Sequence, residues 1–146
     1  MIEVKIVNRS SNGLPEYKTT GAAGCDLTAY LPDGKVTIQP QQIKLIPTGL
    51  SIELPMGYEA QVRSRSGLAL KNGIIVLNAP GTVDADYRGE VGVIICNAGD
   101  KEFTIENGDR IAQMVIAKHE QAKFIVTDTL SDTERADGGF GHSGVK

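Results

Sequence analysis

Two carboxylates, a phenol ring and a guanidinium fall within five positions at Asp84, Asp86, Tyr87 and Arg88. A carboxylate can draw a proton from water, an aromatic ring can pack against a flat ligand, and arginine can hold an anion through forked donors. These residues sit inside Asn78 to Val93, a stretch bent by Pro80, Gly81 and Gly89. It is flanked by the short apolar runs Ile74–Leu77 and Val91–Cys96. The pattern predicts a β-hairpin with chemistry at its tip. Taken alone it also fits a solvated turn, because Asp, Gly and Arg are ordinary turn residues.

Four further stretches carry polar residues of the same kind. Arg63-Ser64-Arg65-Ser66-Gly67-Leu68-Ala69 places two arginines before Ser-Gly at the start of a short helical segment. Exposed N–H groups and guanidinium forks there suit a phosphate, although a basic turn with a capping serine would look the same. Gly21 to Tyr30 sets a lone acid, Asp26, at the start of an alternating run, where it could hold a hard cation directly or through water, or cap a turn. In Gly108 to Ile116, Gln113 lies among the core-forming Ile111, Met114 and Ile116; it could offer an amide to a ligand or simply face solvent. The final segment, Asp132 to Gly144, is polar and glycine-rich, with Arg135 and Phe140. Its glycines permit close approach to phosphates and its ring can stack on a base, while its composition equally describes a disordered linker. Together, two Gly/Ser/Arg sites, several acids and two loop aromatics suggest a nucleoside polyphosphate bound with a divalent cation.

The elements that must position these groups are strands. Apolar residues alternate through Val4–Ile6, Val36–Ile38, Ile43–Leu45, Leu50–Leu54, Tyr58–Val62 and Phe103–Ile105, and Phe124–Val126 continues the series. Turn residues recur every eight to twelve positions, among them Asn72-Gly73 and Asn107-Gly108. Short strands at that spacing predict an all-β, antiparallel sandwich or jelly-roll-like barrel. One helix of about two turns is expected over Ser66–Lys71, opened by Ser66 as cap. At 146 residues the chain reads as one β domain over 1–130 and a flexible tail over 131–146.

Composition narrows the class. A net charge of −3 argues against a nucleic-acid-coating role. Two distant cysteines and two distant histidines offer neither a zinc ribbon nor a histidine-built metal site and suit a reducing interior. No apolar run is long enough to span a membrane, so a soluble, cytoplasmic protein is expected. No Walker A motif, nucleophile elbow or dinucleotide fingerprint is present.

Five stretches in order resemble the five motifs of the homotrimeric dUTP pyrophosphatases (dUTPases): Ala23–Leu27, Arg65–Ala69, Asn78–Gly89, Gly108–Gln113 and Arg135–Gly144. The resemblance implies a dUTPase-like fold and Mg²⁺-dependent hydrolysis of dUTP to dUMP and pyrophosphate by water attack at the α-phosphate. That reaction keeps uracil out of DNA and supplies dUMP for thymidylate synthesis. It also implies roles. Asp84 would be the general base. Asn78 and the backbone of Gly81, Thr82 and Val83 would read the uracil edge, and Tyr87 would pack under the deoxyribose. Arg65, Ser66, Gly67 and Gln113 would hold phosphates, with Asp26 anchoring Mg²⁺ through water. Arg135 would reach the γ-phosphate, Phe140 would lie over uracil, and Gly141, Ser143 and Gly144 would complete the grip. The tail would close over a neighbouring subunit's site, making a homotrimer the functional unit. Two departures stand out: Gly141-His142-Ser143-Gly144 where Ser-Thr is expected before the last glycine, and Thr82-Val83 where two bulky aliphatics are expected. The dCTP deaminases, which share the fold, and a non-catalytic nucleotide-binding trimer remain as rivals.

Overall fold

The computed structural model describes residues 1–139. Eleven strands and one helix form among them: β1 Lys5–Asn8, β2 Gly24–Thr28, β3 Val36–Ile38, β4 Ile43–Pro47, β5 Leu50–Glu53, β6 Tyr58–Arg63, α1 Ser66–Asn72, β7 Ile74–Val76, β8 Gly81–Val83, β9 Gly92–Asn97, β10 Phe103–Ile105 and β11 Arg110–Lys118. Every pairing is antiparallel. A four-stranded sheet runs β2-β11-β6-β8 and a three-stranded sheet runs β4-β9-β7; β1 pairs with β5 and β10 with β3. Among the described residues the strands form a jelly-roll-like sandwich and no closed barrel.

The period-two pattern explains the packing. In β9 the residues Val93 and Ile95 are fully buried while their neighbours are not. Ile46 of β4 and Ile74 of β7 join them from the same sheet, and Leu27, Ala60, Val62 and Ile111 face them from the larger one. Alternation thus sends one side of each sheet into a shared apolar core. Two fully buried polar side chains are satisfied: Asn97 donates to the carbonyls of Ile38 (2.9 Å) and Lys101 (2.7 Å), and Thr48 donates to the carbonyl of Val91 (2.6 Å).

Three expectations need correction. Ser66 does not cap the helix: it is the first helical residue, Arg65 is the N-cap, and no side chain bonds the free N–H groups. A residue in the extended conformation is required at that position, and Arg65 takes it (φ −90°, ψ 127°) while its side chain reaches elsewhere. Phe124–Val126 forms no strand; these side chains stand 93, 80 and 99 % exposed, because no edge among the described residues pairs with them. The stretch after Leu77 is not a plain hairpin. Its arms do pair, Ile74 with Asn97 through Val76 with Ile95, but the chain between them leaves this sheet and returns.

Candidate active site

That excursion builds the first half of the site. The N–H of Leu77 still bonds the carbonyl of Ile94 (2.8 Å). The chain then turns through Asn78 and a cis Ala79–Pro80 peptide and enters β8, which pairs with β6 in the opposite sheet. The Asn78 amide packs against Gly81, where an added Cβ would lie 3.0 Å from its nitrogen. Two of the expected uracil-reading residues are therefore in direct contact.

Asp84 follows β8 immediately and is exposed. A tight turn carries it, closed by the N–H of Tyr87 bonding the carbonyl of Asp84 (3.2 Å), with Ala85 buried beneath. Arg88 turns back and donates to the carbonyls of Ala85 (2.7 Å) and Tyr87 (3.0 Å). The Tyr87 hydroxyl donates to the carbonyl of Glu90 (3.0 Å), laying the ring across Gly89, where any Cβ would collide with it. Glu90 in turn accepts the N–H groups of Thr48 (3.0 Å) and Gly49 (2.8 Å), fixing the foot of the loop to the β4–β5 turn. Thr82, Val83, Asp84 and Tyr87 line one cleft of about 190 Å³ with Glu90 and Val91. A carboxylate and a ring held at the same cleft can address a water and a sugar together.

The second half lies where β2, β11 and β6 run side by side. Asp26, Gln113 and Arg63 occupy one cross-strand row. Asp26 receives Arg65 Nε at 2.9 Å and Arg110 Nη1 at 3.2 Å, and Arg65 Nη1 also donates to the Arg110 carbonyl at 2.9 Å. Sequence reasoning gave Asp26 and Arg65 separate duties, and the fold makes them an ion pair. Gln113 Nε2 donates to the carbonyl of Ser64 (2.8 Å), which carries its amide to the threshold of Arg65-Ser66-Gly67. Two guanidinium groups, Arg65 and Arg110, against one carboxylate leave this ground positive, which suits a polyanion.

The same geometry tests a divalent cation. Both oxygens of Asp26 already face guanidinium groups, and among the described residues no three His, Cys, Asp or Glu side chains converge as a metal cage. Magnesium retains several waters and takes only one or two carboxylates when it arrives with phosphates. A single compensated acid fits contact through water and not a lodged, all-protein ion. Cys25 and Cys96 are free; burial raises the Cys25 thiol above its ordinary range, so it stays protonated and inert.

Of the expected tail residues, Arg135 is not brought to the site. Arg135 is exposed and donates to the carbonyl of Gly138 (2.8 Å) within its own turn. Phe140, Gly141, His142, Ser143 and Gly144 lie outside the described residues.

Three contributors escaped sequence reasoning as site residues. Arg110 and Glu90 stood inside recognised stretches, yet their partners lie 84 and more than 40 positions away, so no local spacing announces them. Ser64 was visible only as a neighbour of arginines; its hydroxyl accepts the N–H of Val76 (2.9 Å) across 12 positions.

The dUTPase family model matches residues 11–144. The deoxyuridine 5'-triphosphate nucleotidohydrolase of Cytophaga hutchinsonii is 57 % identical over 141 residues, covering 97 % of this chain and 91 % of that protein. The enzyme of the same name from Finegoldia magna is 48 % identical over 143 residues, covering 98 and 99 %. Among solved structures, the dUTPase of Staphylococcus bacteriophage 80alpha, a G164S mutant with dUpNHpp, superimposes with a TM-score of 0.90 at 25 % identity, over 99 % of this chain and all of that one.

Proposed function

The chain belongs to the dUTPase family, and from that premise we infer that it hydrolyses dUTP to dUMP and pyrophosphate with Asp84 as the general base. The observation that supports the assignment is the shared cleft: Asp84 and Tyr87 reach one opening from a hydrogen-bonded turn. Held there, the carboxylate takes a proton from water as its oxygen attacks the α-phosphorus, and pyrophosphate leaves.

Recognition divides between the two halves. Asn78 and the backbone of Gly81, Thr82 and Val83 read the uracil edge; a base with the donor and acceptor pattern reversed would leave buried groups unpaired. The Tyr87 ring supports the deoxyribose and leaves no space for a 2′-hydroxyl. Arg65, Ser66, Gly67 and Gln113 receive the phosphates. Arg65 is already oriented by Asp26, so its fork does not have to be ordered on binding. When bound, magnesium neutralises charge on the phosphate oxygens, with Asp26 holding its water shell. Arg135, Phe140, Gly141 and Ser143 close over the nucleotide and exclude water.

The functional unit is a homotrimer in which the tail of one subunit, 131–146, serves its neighbour. Two uncovered surfaces support assembly. The outer face of the three-stranded sheet carries Ile43, Cys96 and Ile75 in one row and Leu45 and Ile94 in the next, apolar throughout and with Ile43 and Leu45 exposed. A sheet with two apolar faces needs a cover on both. Beyond β11, Phe124–Val126 is a strand sequence without a strand partner among the described residues. No helix among the described residues is long and apolar enough to cross a membrane, and two free cysteines suit a reducing cytoplasm.

The test is pyrophosphate release from dUTP, dCTP, dTTP and UTP with Mg²⁺, for wild type and Asp84→Ala. Release from dUTP alone, lost in the variant, is expected. Full release by the variant would remove Asp84 from the mechanism, and ammonia from dCTP would indicate a deaminase.

A further inference from the structure

Ser64 has no assigned contact with the nucleotide, yet it bonds the approach to one half of the site and a member of the other. It is the residue between the end of β6 and Arg65, the N-cap of α1. Its hydroxyl oxygen accepts the N–H of Val76, the last residue of β7 and two positions before Asn78. Its carbonyl oxygen accepts the Gln113 amide from β11. One half-buried residue thereby joins the start of the phosphate ground, the approach to the base-reading segment and the amide beside Asp26. The backbone supplies no substitute at Val76. β7 pairs only with β9, and on its other side this N–H meets the serine oxygen alone among the described residues.

We propose that Ser64 is a positioning residue that fixes the distance between the uracil-reading segment and the phosphate-holding residues. The proposal rests on the functional reading given above. A nucleoside triphosphate must engage both ends at once, so an error in their separation weakens a ligand spanning both. A ligand that uses mainly the base end escapes. Replacing serine by alanine leaves the carbonyl bond to Gln113 intact but strands the N–H of Val76. An unsatisfied, part-buried donor weakens the arrangement by roughly five- to tenfold in binding. Threonine keeps the hydroxyl and should keep the link.

The experiment compares wild type, Ser64→Ala and Ser64→Thr as folded full-length assemblies, with the melting temperature recorded for each. Dissociation constants are measured for the non-hydrolysable triphosphate dUpNHpp with Mg²⁺ and for dUMP, and dUTP turnover is followed in parallel. The expected result is a loss of about fivefold or more for dUpNHpp in Ser64→Ala, under about twofold for dUMP, and recovery in Ser64→Thr. Equal losses for both ligands would mean that Ser64 merely supports the fold, and would overturn the proposal. Unchanged binding of dUpNHpp would overturn it as well. If wild type neither binds nor hydrolyses dUTP, the functional reading falls and the proposal with it. If wild type is active and the two ligands weaken in parallel, only the proposal falls.

Discussion

Two polar, glycine-bearing stretches, Asn78–Glu90 and 120–139, have opposite physical characters. The first is sewn into both sheets. It pairs with β6 through β8, closes on itself at Tyr87 and Arg88, and is pinned to the β4–β5 turn by Glu90. In the second, hydrogen bonds among the described residues link only positions within three of each other, and nearly every side chain from 120 to 137 is exposed. The difference is not in composition but in who supplies the partners. One stretch finds them within its own chain. The other carries Phe124–Val126 and Arg135, which in the proposed homotrimer would meet a neighbouring subunit or the nucleotide.

The sharpest test of the built loop is chemical. Asp84→Asn should lower kcat for dUTP by about three orders of magnitude with little change in dUpNHpp affinity, the usual scale for a lost general base. Steady-state pyrophosphate release and calorimetry check it. A large fall in affinity instead would make Asp84 a binding residue.

The borrowed stretch makes the complementary prediction. Removing 131–146 should reduce kcat/KM by about a hundredfold, as loss of a closing lid does, while the melting temperature moves by no more than about 2 °C. A comparable loss of thermal stability would show that the tail belongs to the fold and would erase the contrast.

Glu90→Ala tests the pinning itself. Losing a charged acceptor for two N–H groups should lower stability by about 1–2 kcal/mol, or about 2–6 °C in melting temperature. The corresponding change at an acid in the borrowed stretch, Glu134→Ala, should do nothing measurable by calorimetry.

The smallest effect lies at the exposed pair beside the loop. The Lys5 ammonium, 2.9 Å away, holds the Glu53 carboxyl below its ordinary range by hydrogen bond and charge, and Arg88 stands 3.9 Å from its other oxygen. A depressed carboxylate contributes stability above its unfolded pKa of about 4.3 and loses it as pH falls through the lower folded value. Glu53→Gln should therefore lower the melting temperature by about 1 °C or less at pH 7, and the gap should vanish in acid below that window. A gap persisting in acid would assign the effect to packing.

The strands were legible because burial on one face imposes a two-residue period, as in Val93 and Ile95, and that period needs no knowledge of partners. Phe124–Val126 shows the limit of that rule: the period announces a strand, but a strand also needs an edge to join. Asp84, Tyr87, Arg65 and Gln113 could be picked out because their types and spacing are chemical. Their connections could not. The Asp26–Arg65–Arg110 cluster and the Ser64–Val76 link depend on strands meeting from distant parts of the chain, and the mistaken serine cap arose from reading α1 without knowing which residue would be extended before it.

The crossing of β8 from one sheet to the other has a consequence for how such a site can diversify. Binding loops that hang free of a scaffold change their ligands by growing or shrinking. Here three residues of the reading segment are rungs of a ladder with β6, and the segment's ends are fixed in β7 and β9. One inserted residue would throw alternate side chains to the wrong side of the sheet. Mutation can therefore revise the letters of this segment but hardly its length, which confines new substrates to those reachable by exchanging side chains one at a time.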